Sequence, residues 1–219
     1  MKKINLAIII LMLLSLLITG IGLAILPDVI PTHFGIDGQP DQFGSKYFVL
    51  LFTAIAIICG SSMLAVVKFA SVTENYKKYL SITAIIVQAL FDVLLVLFII
   101  YALSYVENKP TIQISKIELP ILGVLFIVLG NFMPKVERNN TLGIKTKWAK
   151  YNDITWQKTH RFTGYISCIL GLLIIVISFF FNDTINFVIF VAILLIFTVS
   201  TTVASYVYYK QEKGKESQV

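Results

Sequence analysis

Six apolar runs, at about 4–26, 47–67, 80–106, 119–133, 162–181 and 184–209, constrain this chain more than any other feature. A helix crossing a bilayer needs about 20 apolar residues, within a range of 17–25. Five of the runs meet that length. The fourth is short and must borrow Ile117 and Glu118, or sit where the bilayer is thinned. Continuous rather than alternating runs exclude a transmembrane β-barrel. Charged residues make up only 14% of the chain, against about 25% in a soluble domain. The mean hydropathy of +0.84 agrees. The runs therefore predict an all-α integral membrane protein with six transmembrane helices and no separate soluble domain.

Charge placement orients it. Fifteen of the eighteen Lys and Arg residues fall in the N-terminal tail, the 68–79 loop, the 134–161 loop and the C-terminal tail. The opposite side keeps Lys46, Lys109 and Lys116. The positive-inside rule then places both termini and the long loop in the cytoplasm. Topology accounts for the net charge of +6, so no direct contact with nucleic acid is expected. The lipid bilayer is the first partner, and weak attraction to anionic lipid is a second use of the charge. The first run is longer than the apolar core of a signal peptide and lacks a small-residue cleavage site, so it is expected to remain as a span. Cys59 and Cys168 both fall inside spans and read as small packing residues.

The expected organisation is an N-terminal helical hairpin, 1–79, with an external loop at 27–46, then a four-helix membrane region, 80–219, with its cytoplasmic loop at 134–161. The external loop is rich in Pro, Gly and Asp, which make tight turns rather than helix. The second external loop, 107–118, is short, and Pro120 reads as lying in the first turn of the fourth helix. Only Asn182 and Asp183 separate the last two runs, so helices five and six must form an antiparallel hairpin. The strings at 139–141 and 182–184 resemble glycosylation acceptors but are wrongly placed for that use. In the long loop, residues 148–162 show helical spacing. This predicts an amphipathic helix in the interface running into the fifth span, with Asp153 as its cap and Trp148 and Trp156 at headgroup depth. Ala56 and Gly60 in the second span, and Gly164, Cys168 and Gly171 in the fifth, are candidates for close helix seams.

Polar groups kept inside spans are expensive and mark function or helix pairing. Asp92 is the charged residue deepest in a span, and Gln88 lies one turn before it on the same face. Together they read either as an ion or proton site or as a hydrogen-bonded tie between helices. Asn131 is a partner for Asp92 only if their depths match. Outside, His33, Asp37 and Asp41 stand at spacings of four. As metal ligands they are weak candidates, because no second His is near and the spacing lies in a turn-rich loop. Turn chemistry, or recognition of an external molecule with Lys46, are the alternatives. No catalytic constellation is legible, and no cofactor is expected.

Two strings carry a resemblance. The first is Pro31-Thr32-His33-Phe34, followed by Gly38-Gln39-Pro40-Asp41 and Gly44-Ser45-Lys46. It resembles the short N-terminal domain that precedes an SdpI-type domain in bacterial multi-pass proteins. The second begins Gly130-Asn131-Phe132-Met133-Pro134-Lys135. It continues with Asn139/Asn140, Gly143-Ile144-Lys145-Thr146, Trp148, Trp156, Thr159-His160 and Gly164. It resembles the SdpI domain itself. The chain departs from the family's pattern at Lys145, where Arg is more usual, and at Lys147, where Pro is. Lys lacks the planar fork with which Arg grips a carboxylate or phosphate at two points.

The resemblance implies a non-enzymatic immunity and signalling protein of the bacterial cell membrane. It would protect against a secreted antimicrobial peptide outside and hold a cytosolic repressor inside. By that analogy His33, Asp37, Asp41 and Lys46 would meet the peptide. Asn131, Lys145, Thr146, Trp148, Trp156, His160 and Arg161 would meet the repressor. Two other classes stay open: a small transporter or channel using Asp92 and Gln88, and a metal-dependent membrane enzyme built on the external trio.

Overall fold

A computed structural model describes residues 2–69, 73–106, 115–139 and 142–216. Six helices in it are long and apolar enough to cross a membrane. They are α1 (Lys2–Ile25), α2 (Val49–Phe69), α3 (Glu74–Val106), α4 (Ser115–Phe132), α5 (Asp153–Ser178) and α6 (Asp183–Glu216). Their outward faces carry large apolar side chains such as Leu17, Ile58, Ile169 and Leu195, each about 60% exposed or more. That inversion of a soluble protein's surface is what lipid as solvent demands. The protein is an all-α multi-pass membrane protein.

The helices pack as two groups of three. α3 lies mainly against α1 and α2, α5 packs against α4 and α6, and α3 also touches α4. The long third helix therefore closes the first group as well as opening the second. Lys109, Asn140 and Thr141 lie outside the described residues.

The external loop is more ordered than its turn-rich composition predicts. β1 (Val29–Phe34) and β2 (Pro40–Ser45) pair antiparallel, from Val29 opposite Ser45 to Phe34 opposite Pro40. The turns sit at the tip, where Gly38 has φ +75° and Asp37 Oδ1 accepts the Gln39 N–H at 3.1 Å. Aromatic contacts hold the hairpin on α3: Phe34 meets Tyr101 edge-on at 5.0 Å, and Phe43 meets Tyr105 at 5.7 Å. The Ile30 side chain joins Leu26, Val49, Leu95, Ile99 and Ala102 in a buried cluster. The tip reaches the second helix group, because a Cβ on Gly38 would collide with the Asp183 carboxylate at the start of α6.

Three local expectations are corrected. Among the described residues α4 begins at Ser115, so Pro120 lies in the second turn rather than the first. Among the described residues no separate interfacial helix precedes the fifth span: 147–150 form turns, and α5 starts at Asp153. The cap is Asn152, whose Oδ1 accepts the Thr155 N–H at 2.8 Å. Asp153 is instead the first helical residue and pairs with Arg138 at 3.1 Å. Asn suits the cap because its side chain reaches back to an unpaired amide, while a carboxylate in the first turn complements the helix dipole.

α4 and α5 approach backbone to backbone. A Cβ on Gly164 would lie 2.7 Å from the Gly130 carbonyl oxygen, and one on Gly171 would lie 2.6 Å from that of Gly123. Ser167 Oγ donates to the Phe126 carbonyl at 2.7 Å between these points. Gly60 plays a similar part in α2, where a Cβ would press on Gln88 Oε1 at 2.7 Å and on Met12.

Candidate functional site

Three places carry the polar groups singled out from sequence. The first is intramembrane. Ser15 Oγ donates to Asp92 Oδ1 at 2.5 Å, and Gln88 Nε2 donates to Ser15 Oγ at 3.1 Å. All three side chains are at most 5% exposed. The helical spacing already placed Gln88 and Asp92 on one face, but Ser15 was not foreseen. Nothing in a lone serine of an apolar run distinguishes it from span serines such as Ser62 and Ser104, which bond only carbonyls of their own helix. Asn131 is not Asp92's partner: it is exposed at the far end of α4, next to the Pro134 break. Asp92 Oδ2 and Gln88 Oε1 are buried without a donor.

The second place is external. His33 Nδ1 and Asp41 Oδ1 meet at 2.6 Å across the hairpin. Asp37 does not join them, because its carboxylate caps the tip turn. Among the described residues no group of three or more His, Cys, Asp or Glu stands close enough to hold a metal ion. Lys46 pairs with Asp28 at 3.1 Å at the hairpin's base. Below the hairpin, between the two helix groups, lies a cleft of about 870 Å³. The hairpin contributes His33 and Asp41 to it, and α4 and α6 contribute Glu118 and Asp183.

The third place is cytoplasmic. Trp156 is only 1% exposed, so its ring packs inside the protein rather than facing lipid. Its Nε1–H donates to the Val136 carbonyl at 2.7 Å, and its ring stacks on His160 at 4.1 Å between centroids. His160, also 1% exposed, has Nδ1 at 2.8 Å from the Trp156 carbonyl and accepts the Ile144 N–H on Nε2 at 3.0 Å. A carbonyl accepts only, so Nδ1 carries the proton. These two side chains fasten the start and the middle of the loop onto α5.

The rest of the loop lies on α6, which at 34 residues is about 51 Å long and so outruns a hydrocarbon core of about 30 Å. Thr146 Oγ1 donates to Ser205 Oγ at 3.0 Å, and Trp148 packs edge-on against Tyr206 at 5.0 Å. The Tyr151 hydroxyl donates to the Glu216 carboxylate, and that bond holds the phenol's pKa above its ordinary value. Glu212 takes Lys158 at 2.7 Å and Lys215 at 3.1 Å. Lys145, Lys147 and Arg161 remain exposed around this headpiece. The sequence pattern thus mixed two kinds of residue: buried fasteners (Trp156, His160) and an exposed basic rim (Lys145, Arg161).

Residues 135–205 match the SdpI/YfhL protein family, and residues 10–58 match a domain of unknown function, DUF1648. Over residues 135–205 the chain is similar to the SdpI family. It is 28% identical over 214 residues to the immunity protein SdpI of Bacillus subtilis, covering 98% of this chain and 99% of that one. It is also 33% identical over 60 residues to an uncharacterized protein of Archaeoglobus fulgidus, covering 27% of this chain and 33% of the other. No solved structure matches it. The SdpI-family match runs from the loop through α5 into α6, so it coincides with the headpiece just described. The DUF1648 match spans α1, the hairpin and the start of α2. With six helices long and apolar enough to span, the chain is a multi-pass protein of the cell membrane.

Proposed function

We propose that this chain is a non-enzymatic immunity protein, protecting the cell that carries it from a secreted antimicrobial peptide. The observation that supports this most is similarity to the Bacillus subtilis immunity protein along the whole length of both chains. A shared membrane domain alone would match only in part. The architecture fits: a hairpin rigid enough to offer a fixed surface outside, and a folded basic headpiece inside. The finer reading is that the headpiece holds a cytosolic repressor at the membrane while the outer face meets the peptide. Lys145, Lys147 and Arg161 are then its contact residues, and Trp156 and His160 shape it from beneath.

Expression in a bacterium sensitive to a related peptide tests protection. Survival should rise relative to an empty vector, and Lys145→Ala should leave that survival intact while releasing the repressor from the membrane fraction. Killing that is unchanged for every related peptide tried would remove the protective reading.

A second reading, transport or conduction, has one observation in its favour: the two buried acceptors on Asp92 and Gln88 that lack a donor. The hydrogen bonds through Ser15 favour a tie between α1 and α3 instead. On the tie reading, Asp92→Asn leaves ion or proton flux into liposomes at background. Asp92→Ala lowers thermal stability by about 1–3 kcal/mol, because it removes the buried acceptor that the Ser15 hydroxyl meets across the two helices. Flux in the parent that Asp92→Asn abolishes would establish transport.

A further inference from the structure

The outer cleft carries a chemistry that the comparisons do not assign. Its walls are aromatic, with Phe48 just before α2, Phe52 in its first turn, Phe98 from α3, and Phe187 and Phe190 from α6. Its charged groups are acidic: Asp41, Glu118 and Asp183. Among the described residues that line it, none is Lys or Arg, and the His33 ring is already taken by Asp41. Asp183 is partly satisfied, since its Oδ1 accepts the Ser115 N–H at 3.0 Å. Glu118 is exposed and shares the cleft with that second carboxylate, without a hydrogen bond or ion pair of its own among the described residues. A concave, low-dielectric site lined by one sign of charge concentrates ligands of the other sign.

The volume of about 870 Å³ falls in the range of ligand pockets, roughly 300–1,000 Å³. It admits a few large side chains, not a folded domain. A phospholipid acyl chain would suit the walls, but its phosphate would face carboxylates at the mouth. The geometry points to a short peptide segment of bulky apolar residues carrying one basic side chain. Its apolar residues seat on the phenylalanines, and its cation pairs with Glu118. The hairpin roofs the site from both helix groups, so closing over such a segment needs no unfolding of the spans. This deepens the protective reading and rests on it only for the claim that the segment belongs to an incoming peptide.

The test uses the full chain in phosphatidylcholine nanodiscs. Three fluorescent Leu/Phe peptides differ at one position, which is Lys, Gln or Glu, and empty nanodiscs correct for partition into lipid. The Lys peptide should bind roughly three- to tenfold more tightly than the Gln peptide, the range for one partly desolvated ion pair. The Glu peptide should bind most weakly. Glu118→Gln should erase the Lys preference without changing affinity for the Gln peptide. Phe98→Ala should weaken all three. Equal affinity for the three peptides, or a Lys preference that survives Glu118→Gln, overturns the assignment. So does a tryptophan placed by Phe98→Trp that is quenched by brominated acyl chains and not relieved by the Lys peptide, since lipid then fills the cleft. Protection assayed in parallel separates the two claims. If Glu118→Gln loses the Lys preference but keeps protection, the cleft binds such segments and only its link to the incoming peptide fails. If binding stays intact without protection in cells, the protective reading fails alone.

Discussion

Replacing Gly164 by Leu should lower the thermal stability of the detergent-solubilised protein by about 3 kcal/mol or more, and Gly130→Leu should do the same. Helices in lipid gain no hydrophobic driving force by meeting, since lipid tails are as apolar as leucine. What holds α4 to α5 is close packing and the hydrogen bonds that close packing permits. The two glycine pairs, Gly130 with Gly164 and Gly123 with Gly171, are seven residues apart on each helix, so they lie on one seam. The obstacle to a side chain there is backbone. A Cβ at Gly164 meets the Gly130 carbonyl oxygen at 2.7 Å and the Pro134 ring at 2.9 Å. No side-chain rotation relieves the first contact, so the helices must separate. Separation also breaks the Ser167 bond to the Phe126 carbonyl.

Overpacking typically costs about 1–3 kcal/mol where neighbours can shift, and here they cannot. For a chain of this size such a loss corresponds to roughly 6–12 °C in the midpoint of unfolding. That midpoint is read as loss of the monodisperse species on gel filtration after heating. Gly20→Leu is the control, because nothing lies within 4 Å of its Cβ, and its midpoint should not move. A Gly164→Leu midpoint equal to that control would show that α4 and α5 do not pack as described.

This seam shows where the sequence could be read and where it could not. Gly164, Cys168 and Gly171 already stood out in the fifth span as small residues at helical spacing. Gly123 and Gly130 did not, because a small residue acquires meaning only opposite another one, and pairing across helices is absent from a linear pattern. The spans themselves were legible because hydrocarbon thickness sets a length that composition alone can meet. The Asp92 site was half legible: Gln88 follows from helical periodicity, whereas Ser15 sits 77 positions away. The external hairpin was hidden by its Gly and Pro content, since its strands are held by Tyr101 and Tyr105 of α3 rather than by strand propensity. Trp156 misled most. A tryptophan beside basic residues next to a span usually marks the headgroup layer, and only the folded loop reveals that Val136 receives its N–H.

Gly143→Ala and His160→Ala should each open the cytoplasmic loop to trypsin at Lys145, Lys147 and Lys150. Gly143 has φ +105°, a conformation that L side chains rarely adopt, and forcing it costs about 1–3 kcal/mol. The added methyl would also run into His160 Nε2, the atom that accepts the Ile144 N–H. Removing the imidazole attacks the same joint from the other side. It strands the Ile144 amide, unstacks Trp156 and leaves a void at a site only 1% exposed. A stranded buried donor alone costs about 1–3 kcal/mol. When opening is fast relative to cleavage, digestion follows the open population. Each variant should therefore be cut roughly ten- to hundredfold faster in inside-out vesicles. Tyr165→Ala, on the exposed face of the same helix, should leave the rate unchanged. The comparison with Lys145→Ala then separates shape from contact. That substitution removes a rim charge without touching the joint, so cleavage at the remaining lysines should keep its rate. If membrane retention of a repressor depends on both His160 and Lys145, only the His160 variant should couple its loss to faster digestion. Digestion of His160→Ala at the parental rate would mean that the joint does not hold the headpiece closed.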